Sequence, residues 1–457
     1  MLNQTELHSH IHGQNVGSQQ PRTWRIGMFS ESFSPVRNGV TISLLTLTQE
    51  LRAQGHYVCI FAPAHSQQPP EEPDVMRFPS FVSIFNRGYP LAYPFWPRIV
   101  LSSQFADLRL DIVHTHTPFV LGLTGARLAL SHHVPLVSTF HTLYWQYAHY
   151  MPFLPEGVTN TLLDLYLPWY YNHCTCIICP SKVTENALRS IGVNRPITII
   201  PTGIPLPPES QLQGEAVQRA RQRLEVPEGT PLLLYVGRLA PEKNVMWLLE
   251  VFQHVHAACP NAMLAFVGEG PLETALVEQV QALGFSEFVR FPGPIPRNEL
   301  DAIYAAADVF CFPSTTETQG LVVGEARAAG LPCVVVNAGG APETVRDGED
   351  GFIVPVGDAE AFADRVLRLL TDKALAERMR RAARRNAERY TPAQMAQRVL
   401  EVYAEARKLS PPPRLPEPEA MPHGPDWEAQ EALYEDASGE ASTEPSKEEP
   451  ADTSPHP

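Results

Sequence analysis

Short apolar runs rich in Val, Ile and Phe recur along the first half of the chain, at residues 25–29, 57–62, 112–116, 136–140, 175–179 and 197–200. Longer stretches of helical period fit between them, among them 42–54, 120–131 and 181–191. The alternation starts afresh in the second half, with runs at 232–236, 263–267, 289–291, 309–312 and 333–336. Strands alternating with helical stretches predict parallel sheets wound with helices on both faces, and two cycles of winding predict two sheets. The expected fold class is therefore α/β, with two Rossmann-like doubly wound domains over residues 23–205 and 206–390. Between the cycles stands PTGIPLPPESQLQG, residues 201–214, whose prolines can continue neither sheet nor helix, so a hinge is expected there. One last amphipathic helix is expected over 391–409, with Thr391 as its cap and Pro392 at its first position.

Composition changes this picture mainly at the ends. The chain has 457 residues, 44% hydrophobic and 19% charged, as in an ordinary soluble enzyme of two or three domains. Its net charge is −15, and twelve acids against Arg414 and Lys447 put ten of those charges in residues 410–457. That segment also holds eleven prolines, cannot bury enough apolar surface to order itself, and is expected to be disordered with no partner implied. The remaining part is only mildly acidic, which argues against a nucleic-acid surface. Residues 1–22 form an expected flexible leader without a signal-peptide core; its His8, His10 and His12 could bind a metal or simply be solvated. No run approaches the roughly 18 apolar residues of a membrane span. Seven cysteines without regular spacing suggest a reducing cytoplasm. Cys174, Cys176 and Cys179 lie in an apolar run and read as buried strand residues sooner than as metal ligands.

Candidate chemistry gathers behind the strands of the second half. After 309–312 come Glu317 and Glu325, eight positions apart across a turn and a helix start, where open parallel sheets bind their ligands. Gly320, Leu321 and Val322 open that helix, so their amides can face an anion such as a diphosphate. In isolation the two acids would more often than not be a capping acid and an exposed helix acid. They are not isolated, because GRLAPEKN follows 232–236: Gly237 allows close backbone approach, and Arg238 and Lys243 can neutralise a diphosphate. The turn VGEGP, 267–271, lies at the same sheet edge, and the stretch 293–295, ending in Ile295, is a candidate for contact with a base.

These residues, GRL-x-x-EKN, the Glu317 to Glu325 pair and EARAAGLPCVVVNAGGAPE, resemble glycosyltransferase family 4. The resemblance covers residues 24–409 and implies the GT-B fold, in which two Rossmann-like domains face across a cleft. It implies a retaining enzyme with a nucleotide-sugar donor on the second domain: Arg238 and Lys243 on the diphosphate, Glu317 on the donor sugar, Glu325 on the ribose. No cofactor or bridging metal is then required, which suits the lack of an Asp-x-Asp triplet. In the first half Gly39 matches the family's phosphate-approaching glycine, although Asn38 stands where many members have another glycine. His141 matches a histidine that lines the donor sugar; on spacing alone it reads equally as a loop residue. The implied reaction is a front-face displacement, with Glu317 as a clamp and no covalent nucleophile.

The stretches 81–100 and 141–173 are dense in aromatics, with Arg87 and Arg98 nearby, as in either a lipid-facing surface or a buried helix layer. TETQGL, ESFSP-x-x-NGV, HTHTPFVLGLTG and HTLYWQYAHY resemble the bacterial diacylglycerol glucosyltransferases. That likeness implies UDP-glucose as donor, a lipid acceptor such as 1,2-diacylglycerol, and peripheral attachment to the cytoplasmic membrane face. GDP-mannose with a lipid acceptor, a soluble acceptor, and an inactive sugar-nucleotide binder are the alternatives.

Overall fold

The first winding contains β1 (Arg25–Phe29), β2 (Tyr57–Pro63), β3 (Val75–Phe78), a short antiparallel pair of β4 (Ser80–Val82) and β5 (Pro90–Ala92), then β6 (Ile112–Thr115), β7 (Leu136–Thr139), β8 (Cys176–Cys179) and β9 (Ile197–Ile199). The computed structural model describes residues 22–69, 72–82, 90–93, 105–146 and 155–410. Seven of these strands form one parallel sheet in the order β3-β2-β1-β6-β7-β8-β9. The second winding, β10 (Leu232–Val236), β11 (Met263–Val267), β12 (Val289–Gly293), β13 (Val309–Phe312), β14 (Cys333–Val336) and β15 (Gly351–Val354), forms a parallel sheet in the order β12-β11-β10-β13-β14-β15. The chain is thus α/β with two doubly wound sheets.

The central strands read as unbroken apolar runs because helices cover both faces. Every residue of β6, β7, β8, β10, β11, β13 and β14 is buried. Cys176 and Cys179 belong to β8, and burial raises both thiols. Two strands of the parallel sheets, β3 and β15, were not expected from the sequence, nor was the β4/β5 pair, and β3 and β15 both lie at the edge of a sheet. In β3 Arg77 interrupts the apolar run, and in β15 the run is only the three residues after Gly351. Both sheets lie within one compact unit.

Helix ends follow local chemistry. Asn38 caps the helix Gly39–Ala53 by accepting from the Thr41 amide, and Ser181 caps Lys182–Ser190 through a reciprocal box with Thr184. Thr391 and Pro392 open the final helix, Pro392–Leu409, as expected. That helix does not stay with the second sheet. Its Met395, Val399, Val402 and Tyr403 share a core with Ile26, Ile112 and Ile178 of the first. The proline-rich segment separates the windings, but its start is pinned. The Thr202 amide donates to Gln319 Oε1 at 2.8 Å, Gln319 Nε2 returns a bond to Thr202 O, and the Thr202 hydroxyl meets Ser43.

One buried ion pair fixes the helix Leu321–Ala328. Arg327 and Asp350, 2% and 0% exposed, meet at 2.6 Å, and Asn386 donates to the same carboxylate oxygen at 2.8 Å. Removing one partner strands the other charge out of water, at a cost of roughly 3–5 kcal/mol. Arg327→Ala should therefore lower the denaturant midpoint sharply; an unchanged midpoint would mean that the pair contributes nothing to the fold.

Candidate functional site

Each sheet has a point where neighbouring strands send their connections to opposite faces: between β1 and β6 in the first, and between β10 and β13 in the second. The loops part there and leave a crevice beyond the carboxyl ends of the strands. At the second sheet Lys243 follows β10 and Glu317 follows β13, and the two meet across this point. Lys243 Nζ lies 2.6 Å from Glu317 Oε1, each side chain only 17% exposed. Ser314 donates to the same oxygen at 3.1 Å, the Thr316 hydroxyl donates to Glu242 O, and the Gly340 amide donates to Glu317 O. Arg238 reaches outward instead, 55% exposed and 3.9 Å from Glu242.

Gly237 ends β10 beside the turn after β11. A Cβ on Gly268 would stand 2.0 Å from Gly237 O, so only glycine lets these two backbones touch. Gly320 has φ +79 and caps the helix Leu321–Ala328 with no side chain on its first amides. The amides of Leu321 and Val322 therefore stand at an uncapped helix start, suited to an anion.

Glu325 is more deeply held than its spacing suggested. It is 6% exposed, accepts from the buried Tyr304 hydroxyl at 2.9 Å, and lies 3.5 Å from Arg297 Nε. Burial raises its carboxyl, with Arg297 and Tyr304 opposing the rise. A carboxylate has about four lone-pair directions, so both partners leave room for a hydroxyl. Ile295, at the end of the stretch 293–295, is 9% exposed and packs in the core.

At the first sheet Gly39 opens its helix opposite Leu321. A Cβ there would meet Leu321 Cδ1 at 3.7 Å and nothing closer, so the two candidate phosphate loops approach each other. Asn38 explains the missing glycine, because its φ of −154 needs none and its side chain both caps the helix and donates to Ser32 at 2.7 Å. His141 follows β7. Its Nε2 lies 3.0 Å from His116 Nδ1, with the rings stacked at 5.3 Å. Burial lowers His141 to about 4 and His114 to about 3, so both are neutral near pH 7.

Sequence reasoning passed over Glu31, His116, Gln319 and Glu343. Gln319 and the Glu343 carboxylate tie the second sheet's loops to the first winding, the latter through the Lys182 and Val183 amides at 2.7 and 2.9 Å. No spacing marks such residues, since their partners lie 117 to 161 positions away. Arg87, Arg98 and much of the aromatic stretch 81–100 lie outside the described residues, as do His8, His10, His12 and residues 411–457.

Residues 37–206 match the family model Glycosyltransferase Family 4, and residues 217–386 match Glycosyl transferases group 1. The chain is 33% identical over 338 residues to the alpha-monoglucosyldiacylglycerol synthase of Acholeplasma laidlawii, covering 72% of this chain and 84% of that protein. It belongs to glycosyltransferase family 4. This family 4 glycosyltransferase is also 28% identical to the phosphatidyl-myo-inositol mannosyltransferase of Mycobacterium leprae, covering 83% of this chain and 96% of that one. Among solved structures, HepE of Anabaena in complex with UDP-glucose superimposes with a TM-score of 0.62 at 20% identity, over 83% of this chain and 99% of that one, which shows the GT-B fold. Among the described residues no helix of the glycosyltransferase is long and apolar enough to cross a membrane.

Glu31 yields a test of how this edge is built. It follows β1 at the switch point; its carboxylate accepts from the Leu121 amide, while Oε2 is sealed from solvent without a partner. The residue as a whole keeps some exposed surface, but the sealed oxygen governs its titration, and burial pushes the carboxyl up to about 7 from 4.5. A carboxyl raised on folding contributes stability that is whole below 4.5 and is lost as pH climbs through about 7. Glu31→Gln should abolish that loss, so the denaturation midpoint of the variant relative to wild type should rise between pH 5 and 8. A constant difference across that range would show that Glu31 titrates as a solvated acid.

Proposed function

We propose that this chain is a retaining, metal-independent glucosyltransferase that moves glucose from UDP-glucose onto a lipid hydroxyl, such as that of 1,2-diacylglycerol. The observation that carries the donor half is the Lys243 to Glu317 pair across the β10/β13 switch point, with the uncapped Leu321 and Val322 amides opening the helix after Glu317 and the exposed Arg238 following β10. The departing diphosphate then meets cations and amide dipoles supplied by the protein, so no bridging metal or cofactor is required. Glu317 grips a donor-sugar hydroxyl while Lys243 holds its other side, and Glu325 receives the ribose. The sugar passes through an oxocarbenium-like state as the leaving phosphate takes the acceptor proton, which asks the protein for positioning and charge and not for a strong base.

The lipid acceptor rests on the likeness to the Acholeplasma laidlawii synthase and on one surface of this chain. In the helix Glu156–Asn172, Val158, Leu162, Leu165 and Trp169 are 45–68% exposed at spacings of four, three and four, which lines them along one face. An exposed apolar helix face bearing a Trp suits the interfacial zone of a bilayer, which supports the reading of a peripheral protein acting at the cytoplasmic face. The mannosyltransferase likeness keeps GDP-mannose as the second reading of the donor.

Purified protein with UDP-glucose, diacylglycerol vesicles and EDTA should form a hexosyl-diacylglycerol by mass spectrometry, with an α anomeric proton by NMR. Turnover with GDP-mannose alone, or only with soluble acceptors, would overturn the substrate assignment. In the same assay Lys243→Ala and Glu317→Ala should each lower transfer a hundredfold or more, about 3 kcal/mol of barrier, with circular dichroism unchanged. Wild-type turnover in either variant would remove the pair from the site.

A further inference from the structure

Three histidines, none close in type to the site's charged groups, run inward from the first sheet's carboxyl edge. His114 lies in β6, fully buried, with Nδ1 2.8 Å from the Tyr403 hydroxyl and Nε2 2.7 Å from that of Thr139. Its ring lies 4.3 Å from that of His116. His116 is 1% exposed and spends Nδ1 on His141 Nε2; its own Nε2 is sealed from solvent and has no protein partner. His141 Nδ1 is not among the sealed atoms, so it is the ring nitrogen left to meet a ligand.

This arrangement decides where the protons sit. Burial lowers both His116 and His141, with the neighbouring histidines adding to the effect on His116, so each neutral ring carries one proton. One proton lies between the two rings, on either His116 Nδ1 or His141 Nε2. If it were on His141, His116 would have to carry its own proton on the sealed Nε2. An orphaned buried N–H is rarer and costlier than a bare lone pair. The proton therefore belongs on His116 Nδ1, which donates to His141 Nε2.

We propose that His116 is a positioning residue that holds His141 as the Nδ1–H tautomer, so that the cleft is offered a hydrogen-bond donor and not an acceptor. The final helix takes part, since Tyr403 and Thr139 fix His114 behind the pair. This rests on the reading that the cleft seats a nucleotide sugar, whose hydroxyl or phosphate oxygen would accept from that N–H. The role is one of orientation: a ring free to turn or change tautomer would present a lone pair to a lone pair.

Selective ¹⁵N-histidine labelling, with His141→Gln to assign its signal, reads the tautomer directly in the ligand-free protein. The expected spectrum shows His141 protonated at Nδ1 and bare at Nε2. The reverse tautomer, with a proton on His116 Nε2 hydrated in the roughly 20 Å³ cavity it lines, would overturn the proposal. Kinetically, His116→Leu should lower kcat for transfer tenfold or more while UDP affinity, which does not involve the sugar, stays at the wild-type value. His116→Asn places an amide nitrogen where Nδ1 stood and should recover most of the loss. Equal damage in both variants, or none in His116→Leu, would contradict the assignment. If wild-type protein turned over no sugar nucleotide, the functional reading would fail while the spectrum still judged the tautomer.

Discussion

The ion pair between Lys243 and Glu317 is the constraint around which the second sheet's edge is arranged. Its partners come from loops that follow adjacent strands and would otherwise diverge, since β10 and β13 lead to connections on opposite faces. Two charges at 17% exposure are neither fully hydrated nor fully buried, so their attraction is worth more than that of a surface pair and costs less than that of a deep one. The loops are then held from several sides. Ser314 reinforces the acid, Gly340 grips its main chain, and the backbone of Gly268 lies on that of Gly237. Under the proposed function a diphosphate would meet a lysine already fixed in place, which reduces the ordering that binding requires.

The first sheet is built to the same plan with different chemistry. Its switch point, between β1 and β6, carries a buried carboxylate on the start of the helix Val120–Ser131 and a row of neutral histidines in place of cations. Links between the windings include hydrogen bonds of Gln319 with Thr202, of Thr202 with Ser43, and of the Glu343 carboxylate with the amides of Lys182 and Val183. The final helix returns to the first sheet and brings Tyr403 to His114. The two switch points thus differ in kind, with the Lys243 to Glu317 ion pair at one and neutral histidines at the other.

Much of this was legible in the chain because buried parallel strands announce themselves as continuous apolar runs. Residues 232–236, 263–267, 309–312 and 333–336 were read at their observed bounds for that reason. The edge strand β3 escaped because Arg77 breaks its run and β15 because its run is only three residues behind Gly351, and the returning helix could be seen as amphipathic without any sign of which sheet it would cover. At the site, residues bound to a motif were legible: Lys243 and Glu317 were named from spacing and stand 2.6 Å apart. Those whose role arises from burial were not, as with Glu31, an ordinary surface acid by sequence, and His116, one more polar residue in HTHT. Ile295 fell between the two, named as a position while its side chain turned into the core.

The central claim, that cations and amide dipoles of the second sheet's edge seat a nucleoside diphosphate without help from a metal, is tested most directly by calorimetric titration of UDP in EDTA. The account predicts that wild-type protein binds UDP under these conditions and that Lys243→Met, which keeps the length of the stem and removes only its charge, weakens binding tenfold or more. Equal affinity in the two proteins, or binding that appears only when a divalent cation is restored, would contradict it.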